Sequence, residues 1–227
     1  MVELDRMRMR AYYERMEREG GFVSFCRMWL PEDIAGARVL DVGCRRGKGV
    51  YQISEHVGAN GFVLGVDWSE PFLERARAGE AAALARGGLS ASNMAFRFGW
   101  PEDLRVAEVA DGSFDIAIAN SVMNVAFNRQ SAYAEIARAL VPGGLFYYAA
   151  VVADGSPDEN ALQRACEHGD VVAAALPEEQ LLAELRAAGF ASCDVVERME
   201  RLDGARAARP IVVAARTLRT VSGQGGS

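Results

Sequence analysis

Two acidic residues, each near the end of an apolar run, are the strongest chemical signal in this sequence. Asp41 lies in RVLDVGCRRG (38–47), which predicts a buried strand, a glycine turn and the start of a helix. Asp67 ends the next apolar run, VLGVD, about 20 residues after the turn, the spacing expected of an acid that accepts hydrogen bonds from ribose hydroxyls. Gly43 and Gly47 let the backbone approach a ligand, and the helix N-terminus offers unpaired N–H groups. The pattern predicts a nucleoside site.

The position of Asp41 distinguishes between the ligands that such a site could take. A carboxylate directly before the glycines would repel a pyrophosphate, whereas it would hold the ammonium group of a methionine. The residues therefore favour S-adenosylmethionine over a dinucleotide. We expect Asp41, Gly43 and Gly47 at the methionine end of this cofactor and Asp67 at its ribose.

Predicted strands and helices alternate along most of the chain. Strands are expected at about 38–42, 62–67, 94–98, 114–119 and 145–152, and helices at 48–57, 69–86, 130–140 and 177–188. The segments 191–200 and 210–217 are expected to form a terminal antiparallel pair. This alternation predicts an α/β fold, with a doubly wound, seven-stranded and mostly parallel sheet.

The 227 residues are enough for one such domain with a small addition. Two N-terminal helices are expected at 3–19 and 22–30. The predicted boundaries are 1–30 for a helical lid or cap, 31–220 for the α/β domain, about 154–176 for an insert on its substrate side, and 221–227 for a disordered tail.

Composition argues against several classes of partner. The net charge of −6 disfavours binding to nucleic acid or to an anionic membrane surface. No apolar run approaches the roughly 20 residues that a membrane span needs, and the N-terminal residues MVELDRMRMR lack the apolar core of a signal peptide. The four cysteines are scattered, so we expect no metal site and a cytoplasmic protein. The expected partner is a small-molecule substrate of the nucleoside-cofactor site. The sequence assigns no oligomeric state.

Two later segments, DGSFDIAIANSVMNV and ARALVPGGLFYYA, complete a pattern with the first two strands. In this order, the four segments resemble the strand signatures of class I S-adenosylmethionine-dependent methyltransferases. The resemblance implies methyl transfer, with Asn120 to Asn124 lining the methyl-transfer face. It also places an adenine-reading loop after the third strand, where Trp100 and either Glu102 or Asp103 are the candidate contacts. Trp68 is the candidate for stacking on the adenine.

Arg45 departs from this family pattern, which has glycine at the middle of the turn. That glycine lets the methionine moiety of the cofactor pass close to the backbone. An arginine here points to solvent, reaches the carboxylate of the cofactor, or blocks the pocket. The alternative function is therefore a non-catalytic or altered-ligand relative, in which Arg45 changes how the cofactor is used.

Two further segments, GVYQISEHVGANGFVLGVDWS and NSVMNV, resemble the arsenite methyltransferase group. Members of that group bind trivalent arsenic through cysteine thiolates, which suit a soft ligand. Position by position, Cys26 matches the first thiolate, Val171 stands at the second, and an Ala/Arg stretch around 205–208 stands at the third. Cys166 precedes the second position by five residues. We therefore expect an acceptor other than arsenite.

No residue is assigned as a general base. Because the methyl group of a sulfonium is already activated, alignment of the acceptor supplies much of the rate. The candidates for a catalytic role are Tyr13 on the predicted N-terminal helix, His168 in the insert, and Cys26.

Overall fold

The computed structural model describes residues 5–19, 28–202 and 207–219. Its strands are β1 (Arg38–Val42), β2 (Phe62–Asp67), β3 (Met94–Phe98), β4 (Phe114–Asn120), β5 (Leu140–Val152), β6 (Phe190–Arg198) and β7 (Arg209–Thr217). Its helices are α1 (Arg6–Glu19), α2 (Lys48–Val57), α3 (Glu70–Gly87), α4 (Arg129–Ala139), α5 (Glu159–His168) and α6 (Glu178–Ala187). Short 3₁₀ turns, Leu104–Ala107 and Val122–Val125, follow β3 and β4.

The strands form one sheet in the order β3-β2-β1-β4-β5-β7-β6. Neighbouring strands pair in parallel from β3 to β5, whereas β7 runs antiparallel to both β5 and β6. The sheet is doubly wound and mostly parallel, which confirms the predicted fold class. The strand order reverses between β1 and β4, and ligands of such sheets bind at the carboxyl ends of the strands beside that point. Asp41, Asp67 and Asn120 lie along this edge.

Helices cover both faces of the sheet. Neighbouring residues of β1 point to opposite faces because side chains alternate along a strand. Leu40 packs in a cluster with Ile136 of α4 and Leu185 of α6, whereas Val39 packs with Ile53 of α2. All five side chains are fully buried. The strands are thus held from both sides, and their carboxyl ends form a fixed platform for a site.

β5 begins at Leu140, five residues before the predicted start at 145. The strand includes Pro142, Gly143 and Gly144, which the sequence analysis interpreted as the end of the preceding helix. The pairing register with β4 shifts here, from Phe114 opposite Leu140 to Ile116 opposite Leu145. Such a bulge admits residues that a regular ladder would reject, including Gly143 at φ 77°.

The predicted helix at 22–30 falls mostly outside the described residues, and residues 28–30 are not helical. Pro31 gives the reason, because the residue before a proline is disfavoured in the helical region. The tail at 221–227 also lies outside the described residues.

The insert contains α5, which was not predicted. Its cap signals were present: Asp158 accepts a hydrogen bond from the Ala161 N–H at 2.8 Å, and Gly169 follows the helix at φ 67°. Within the described part of the chain, no helix is both long and apolar enough to span a membrane.

Candidate functional site

The turn after β1 is attached to the end of β2 by backbone hydrogen bonds. The N–H groups of Gly43 and Cys44 both donate to the Val66 carbonyl, at 2.8 and 3.1 Å. Gly43 has φ 81°, and a Cβ atom added there would lie only 3.0 Å from Val122. Gly47 has φ 79° and precedes α2 directly. Both glycines are therefore required by geometry, and the turn sits where the sequence predicted it.

Asp67 is held by two backbone N–H groups. Its Oδ2 atom accepts from Arg45 at 2.8 Å, and its Oδ1 atom accepts from Ser69 at 2.9 Å. The side chain is 1% exposed. Each carboxylate oxygen can accept more than one hydrogen bond, so this fixed orientation leaves capacity for a pair of ligand hydroxyls. The bond from Arg45 joins the turn to the strand end, a link that the sequence analysis missed.

Asp41 is the buried acid at the other side of the turn. Burial raises the pKa of its carboxyl to about 7, and the charge of Asp67 adds to the effect. A Cβ atom added to Gly49 would lie 2.9 Å from the Asp41 Oδ2 atom and would also meet the Met28 side chain, so the packing beside this carboxyl requires a glycine at residue 49. A buried acid with a raised pKa gains from a cation, which is what the ammonium group of S-adenosylmethionine would provide.

Asn120 ends β4 next to this acid. Its Nδ2 atom donates to the Met28 sulfur at 2.7 Å, while its buried Oδ1 atom has no hydrogen-bond partner among the described residues. A buried acceptor of this kind is costly unless a ligand donates to it. Together with Asp41, it fits the methionine end of the expected cofactor. Met28 also packs against Gly49, although nothing in the sequence distinguished this methionine from a core residue.

Four aromatic rings line a small cavity that includes Trp68, the residue after Asp67. The cavity has a volume of about 180 Å³, and its aromatic residues are Tyr13, Trp68, Phe98 and Trp100. The Tyr13 and Trp68 rings lie 4.4 Å apart, and the Phe98 and Trp100 rings lie 5.1 Å apart. Pro101 follows Trp100 and has no N–H to donate. This end of the site therefore offers stacking surfaces to a flat ring.

The two acids of the loop after β3 are engaged with other parts of the chain. Glu102 is buried, and its carboxylate accepts from the Tyr13 hydroxyl and from the Asn128 N–H. Burial raises its pKa to about 7, although both hydrogen bonds act in the opposite direction. Asp103 forms an ion pair with Arg6 of α1 at 2.7 Å. A direct contact of either acid with adenine stays a prediction.

The side chain of Arg45 leaves the turn toward α3. Its guanidinium carbon lies 5.3 Å from the centre of the Phe72 ring, and that of Arg46 lies 5.1 Å from the same centre. Arg45 is half-buried and has φ 51°, a conformation that favours glycine. The backbone thus keeps the shape that the family glycine would give, while the guanidinium packs on an aromatic ring.

The three candidates for a catalytic role are placed differently. Tyr13 is buried at the aromatic cavity, and burial together with the nearby Glu102 keeps its pKa well above the ordinary value. His168 is exposed in the last turn of α5. Cys26 lies outside the described residues. The structure therefore brings only Tyr13 to the predicted cofactor site among the candidates that it describes.

A larger cavity, of about 700 Å³, lies between α1, α5 and the start of α4. Its wall includes Tyr12, Phe127 and Leu162, with Arg8 near its rim. Tyr12 also joins the two sides, because its hydroxyl donates to the Cys166 carbonyl at 3.1 Å. This volume is in the range of pockets that hold small molecules.

Among the described positions that match arsenic-binding cysteines, there is no thiolate site; Cys26 and residues 205–206 lie outside the described residues. Val171 is 1% exposed and packs with Val151 and Ala165. Ala208 is also buried. Cys166 is half-buried on α5. In the described ranges, no group of three or more His, Cys, Asp or Glu side chains is arranged to hold a metal ion.

Residues 34–200 match the family model of a methyltransferase domain. The chain is 36% identical over 151 residues to the arsenite methyltransferase of Aquipseudomonas alcaligenes, which covers 66% of this chain and 43% of that protein. It is 34% identical over 114 residues to nocamycin O-methyltransferase of Saccharothrix syringae, which covers 48% of this chain and 36% of that protein. The chain thus spans less than half the length of these two relatives.

A solved structure is similar over most of the chain. This is CrArsM, an arsenic (III) S-adenosylmethionine methyltransferase from Chlamydomonas reinhardtii. The TM-score is 0.76 at 28% identity, and the superposition covers 93% of this chain and 74% of that chain. The similarity in fold therefore extends over nearly the whole chain.

Proposed function

Because this chain belongs to the methyltransferase-domain family of S-adenosylmethionine-dependent enzymes, we propose that it transfers a methyl group from S-adenosylmethionine to a small-molecule acceptor. The observation that supports this most directly is the pair of buried acids, Asp41 and Asp67, at the ends of adjacent parallel strands. One acid suits an ammonium group and the other suits a ribose.

Each part of the site has a role in this proposal. Asp41 and Asn120 hold the methionine end, and the backbone at Gly43 and Gly47 gives the cofactor room. Asp67 accepts the ribose hydroxyls, and its two backbone donors keep it aligned. The cofactor supplies an activated methyl group, so the residues bind, orient and exclude water rather than create a strong base.

The adenine is proposed to stack in the aromatic cavity. Trp68 and Trp100 give it ring surfaces, which stabilise a base by about 1–3 kcal/mol in other nucleotide sites. Pro101, which follows Trp100, has no N–H to offer the base. Trp68 lines this cavity and directly follows Asp67 in the chain, which supports a base in the cavity and a ribose at Asp67.

The acceptor is proposed to be an organic small molecule that enters from the larger cavity between α1, α5 and the start of α4. Arsenite is disfavoured because Val171 is a buried apolar residue where a thiolate is needed. The relatives differ in acceptor, since one is named an arsenite methyltransferase and another an O-methyltransferase. We place this activity in the cytoplasm, since the scattered cysteines suit a reducing compartment.

Two measurements test the proposal. Calorimetry with S-adenosylhomocysteine should give saturable binding, and absence of binding would overturn the cofactor assignment. Transfer of a labelled methyl group from S-adenosylmethionine should be negligible with arsenite, under conditions in which a known arsenite methyltransferase is active. Robust formation of methylated arsenic by this protein would overturn the acceptor assignment alone.

A further inference from the structure

One buried carboxylate joins three parts of the chain at the adenine end of the site. The Oε1 atom of Glu102 accepts from the Tyr13 hydroxyl at 2.9 Å and from the Asn128 N–H at 3.0 Å. The same hydroxyl lies 3.0 Å from Oε2 and accepts from the Phe127 N–H at 3.3 Å. Helix α1, the loop after β3 and the entry to α4 therefore meet at Glu102, which is 4% exposed.

Tyr13 connects Glu102 to the wall of the aromatic cavity. Its ring is 2% exposed and lies 4.4 Å from the Trp68 ring, with 37° between the two planes. Trp68 directly follows Asp67 in the chain. A shift of the Tyr13 ring would therefore free the tryptophan to rotate away from a base bound beside the ribose acid.

The other polar attachment of α1 to this loop is weaker. Arg6 pairs with Asp103, but the Arg6 side chain is 69% exposed. Ion pairs of that kind are screened by water and contribute little. A hydrogen bond to a buried carboxylate is stronger. Among the polar contacts of α1 with the adenine end, the one between Tyr13 and Glu102 therefore dominates.

We propose that Glu102 is a positioning residue for the cofactor site: it holds Tyr13 against Trp68, so that α1 closes the adenine end. The inference rests on the proposed function, because it requires a nucleoside in this cavity. It assigns Glu102 an indirect role in place of the direct adenine contact that the sequence suggested, because Tyr13 and Trp68 line the aromatic cavity whereas Glu102 does not.

The sharpest test removes one hydroxyl group. In Tyr13→Phe the ring stays beside Trp68 but loses its bond to Glu102, and we expect the Kd for S-adenosylhomocysteine to rise about fivefold to tenfold. Tyr12→Phe is the matched control. It removes a hydroxyl from the neighbouring residue of α1, which bonds the Val125 and Cys166 carbonyls instead. We expect that variant to change the Kd by about twofold or less.

A second pair of variants tests rescue. Glu102→Ala should weaken binding about tenfold, while Glu102→Gln keeps an acceptor oxygen and should restore affinity to within about threefold of wild type. If Glu102 only filled the core, its acceptor oxygen would not matter. The alanine and glutamine variants would then bind S-adenosylhomocysteine equally well, provided that circular dichroism shows the same folded fraction for both. If the alanine variant does not fold, the comparison of Tyr13→Phe with Tyr12→Phe still decides.

Each of three results would overturn one of the two proposals. Equal loss of affinity in Tyr12→Phe and Tyr13→Phe would show that any loosening of α1 suffices, and would overturn the role of Glu102. Wild-type affinity in Tyr13→Phe would overturn it as well. Failure of the wild-type protein to bind S-adenosylhomocysteine would overturn the proposed function, which is distinguishable because no variant enters that measurement.

Discussion

The two ends of the candidate site are built in different ways. At the methionine and ribose end, the backbone of Arg45 and Ser69 holds Asp67, and these residues belong to two adjacent strands and their turns. At the adenine end, Tyr13 of α1 reaches Glu102 across 89 residues of sequence. The first end depends on local backbone geometry, whereas the second depends on how a terminal helix docks.

This difference indicates which end controls which property. In the proposed function, backbone donors and buried acids at the first end are expected to set the affinity for a charged, hydroxylated ligand. The docked helix at the second end is expected to set how firmly a flat ring is enclosed. Changes of charge should therefore have their largest effects at the first end, and changes of packing should have theirs at the second.

The largest effect is expected for Asp67→Ala. The variant loses the carboxylate that is proposed to accept ligand hydroxyls, and it removes the acceptor of the N–H groups of Arg45 and Ser69. We expect the affinity for S-adenosylhomocysteine, measured by calorimetry, to fall by about 1.5–3 kcal/mol. Asp115→Ala is a suitable control, because Asp115 also accepts a backbone N–H, from Arg38, on β4 away from the carboxyl edge. Unchanged affinity in Asp67→Ala would remove the ribose assignment.

A tenfold effect is expected from pH. The pKa of Asp41 is about 7 in the free protein, and a bound ammonium group lowers the pKa of a neighbouring carboxyl. Binding then releases a proton at low pH, so affinity should rise about tenfold from about pH 6 to about pH 7.5 and then level off. The stability of the fold should depend on pH in the opposite direction. Because burial raises the pKa of Asp41 above the ordinary value of 3.8, its contribution to stability is complete below that pH and is lost as the pH rises through about 7.

Two variants locate the titrating group in that experiment. Asp41→Asn should remove most of the pH dependence of binding, while Glu102→Gln should leave it in place, although the pKa of Glu102 is also about 7. The reason is that an ammonium group is expected beside Asp41 only. A pH dependence that disappears in Glu102→Gln and persists in Asp41→Asn would reverse the roles of the two ends.

The sequence predicted the first end better than the second. β1 and β2 were placed at 38–42 and 62–67, as the structure has them, because apolar strands and a glycine turn are local signals. The same signals placed Asp41 and Asp67 at neighbouring strand ends. The bond between the Arg45 N–H and Asp67 could not be predicted, because it depends on how two turns meet in space.

The second end depends on contacts that sequence patterns do not reveal. Glu102 lies in the polar loop GWPED, which is typical of a solvated turn, yet tertiary packing buries it under α1. Tyr13 was one of several apolar residues spaced along a helix face, and nothing singled out its hydroxyl. The start of β5 at Leu140 was also missed, because proline and two glycines normally end an element, and a bulge overrides that rule.

The smallest effect is expected for Arg45→Gly. This variant tests whether the Arg45 side chain contributes to the methionine and ribose end of the site, or whether only its backbone does. The N–H that donates to Asp67 is kept in glycine. Glycine relieves the left-handed conformation at φ 51°, which costs an ordinary residue about 1–2 kcal/mol. The variant also loses the contact of the guanidinium with Phe72, which contributes about 0.5–1 kcal/mol. The added backbone freedom of glycine in the unfolded chain costs a similar amount. These contributions nearly cancel, so the stability measured by thermal unfolding should change by about 1 kcal/mol or less.

Affinity for S-adenosylhomocysteine should change by about threefold or less, because the guanidinium packs toward α3. Arg46→Ala removes the matching contact with Phe72 at a residue without positive φ, so it should lower stability slightly and leave affinity unchanged. A clear gain of affinity in Arg45→Gly would mean that the arginine obstructs the pocket, and a clear loss would mean that it holds the carboxylate of the cofactor. Either result would place the side chain, and not the backbone alone, in the methionine end of the site.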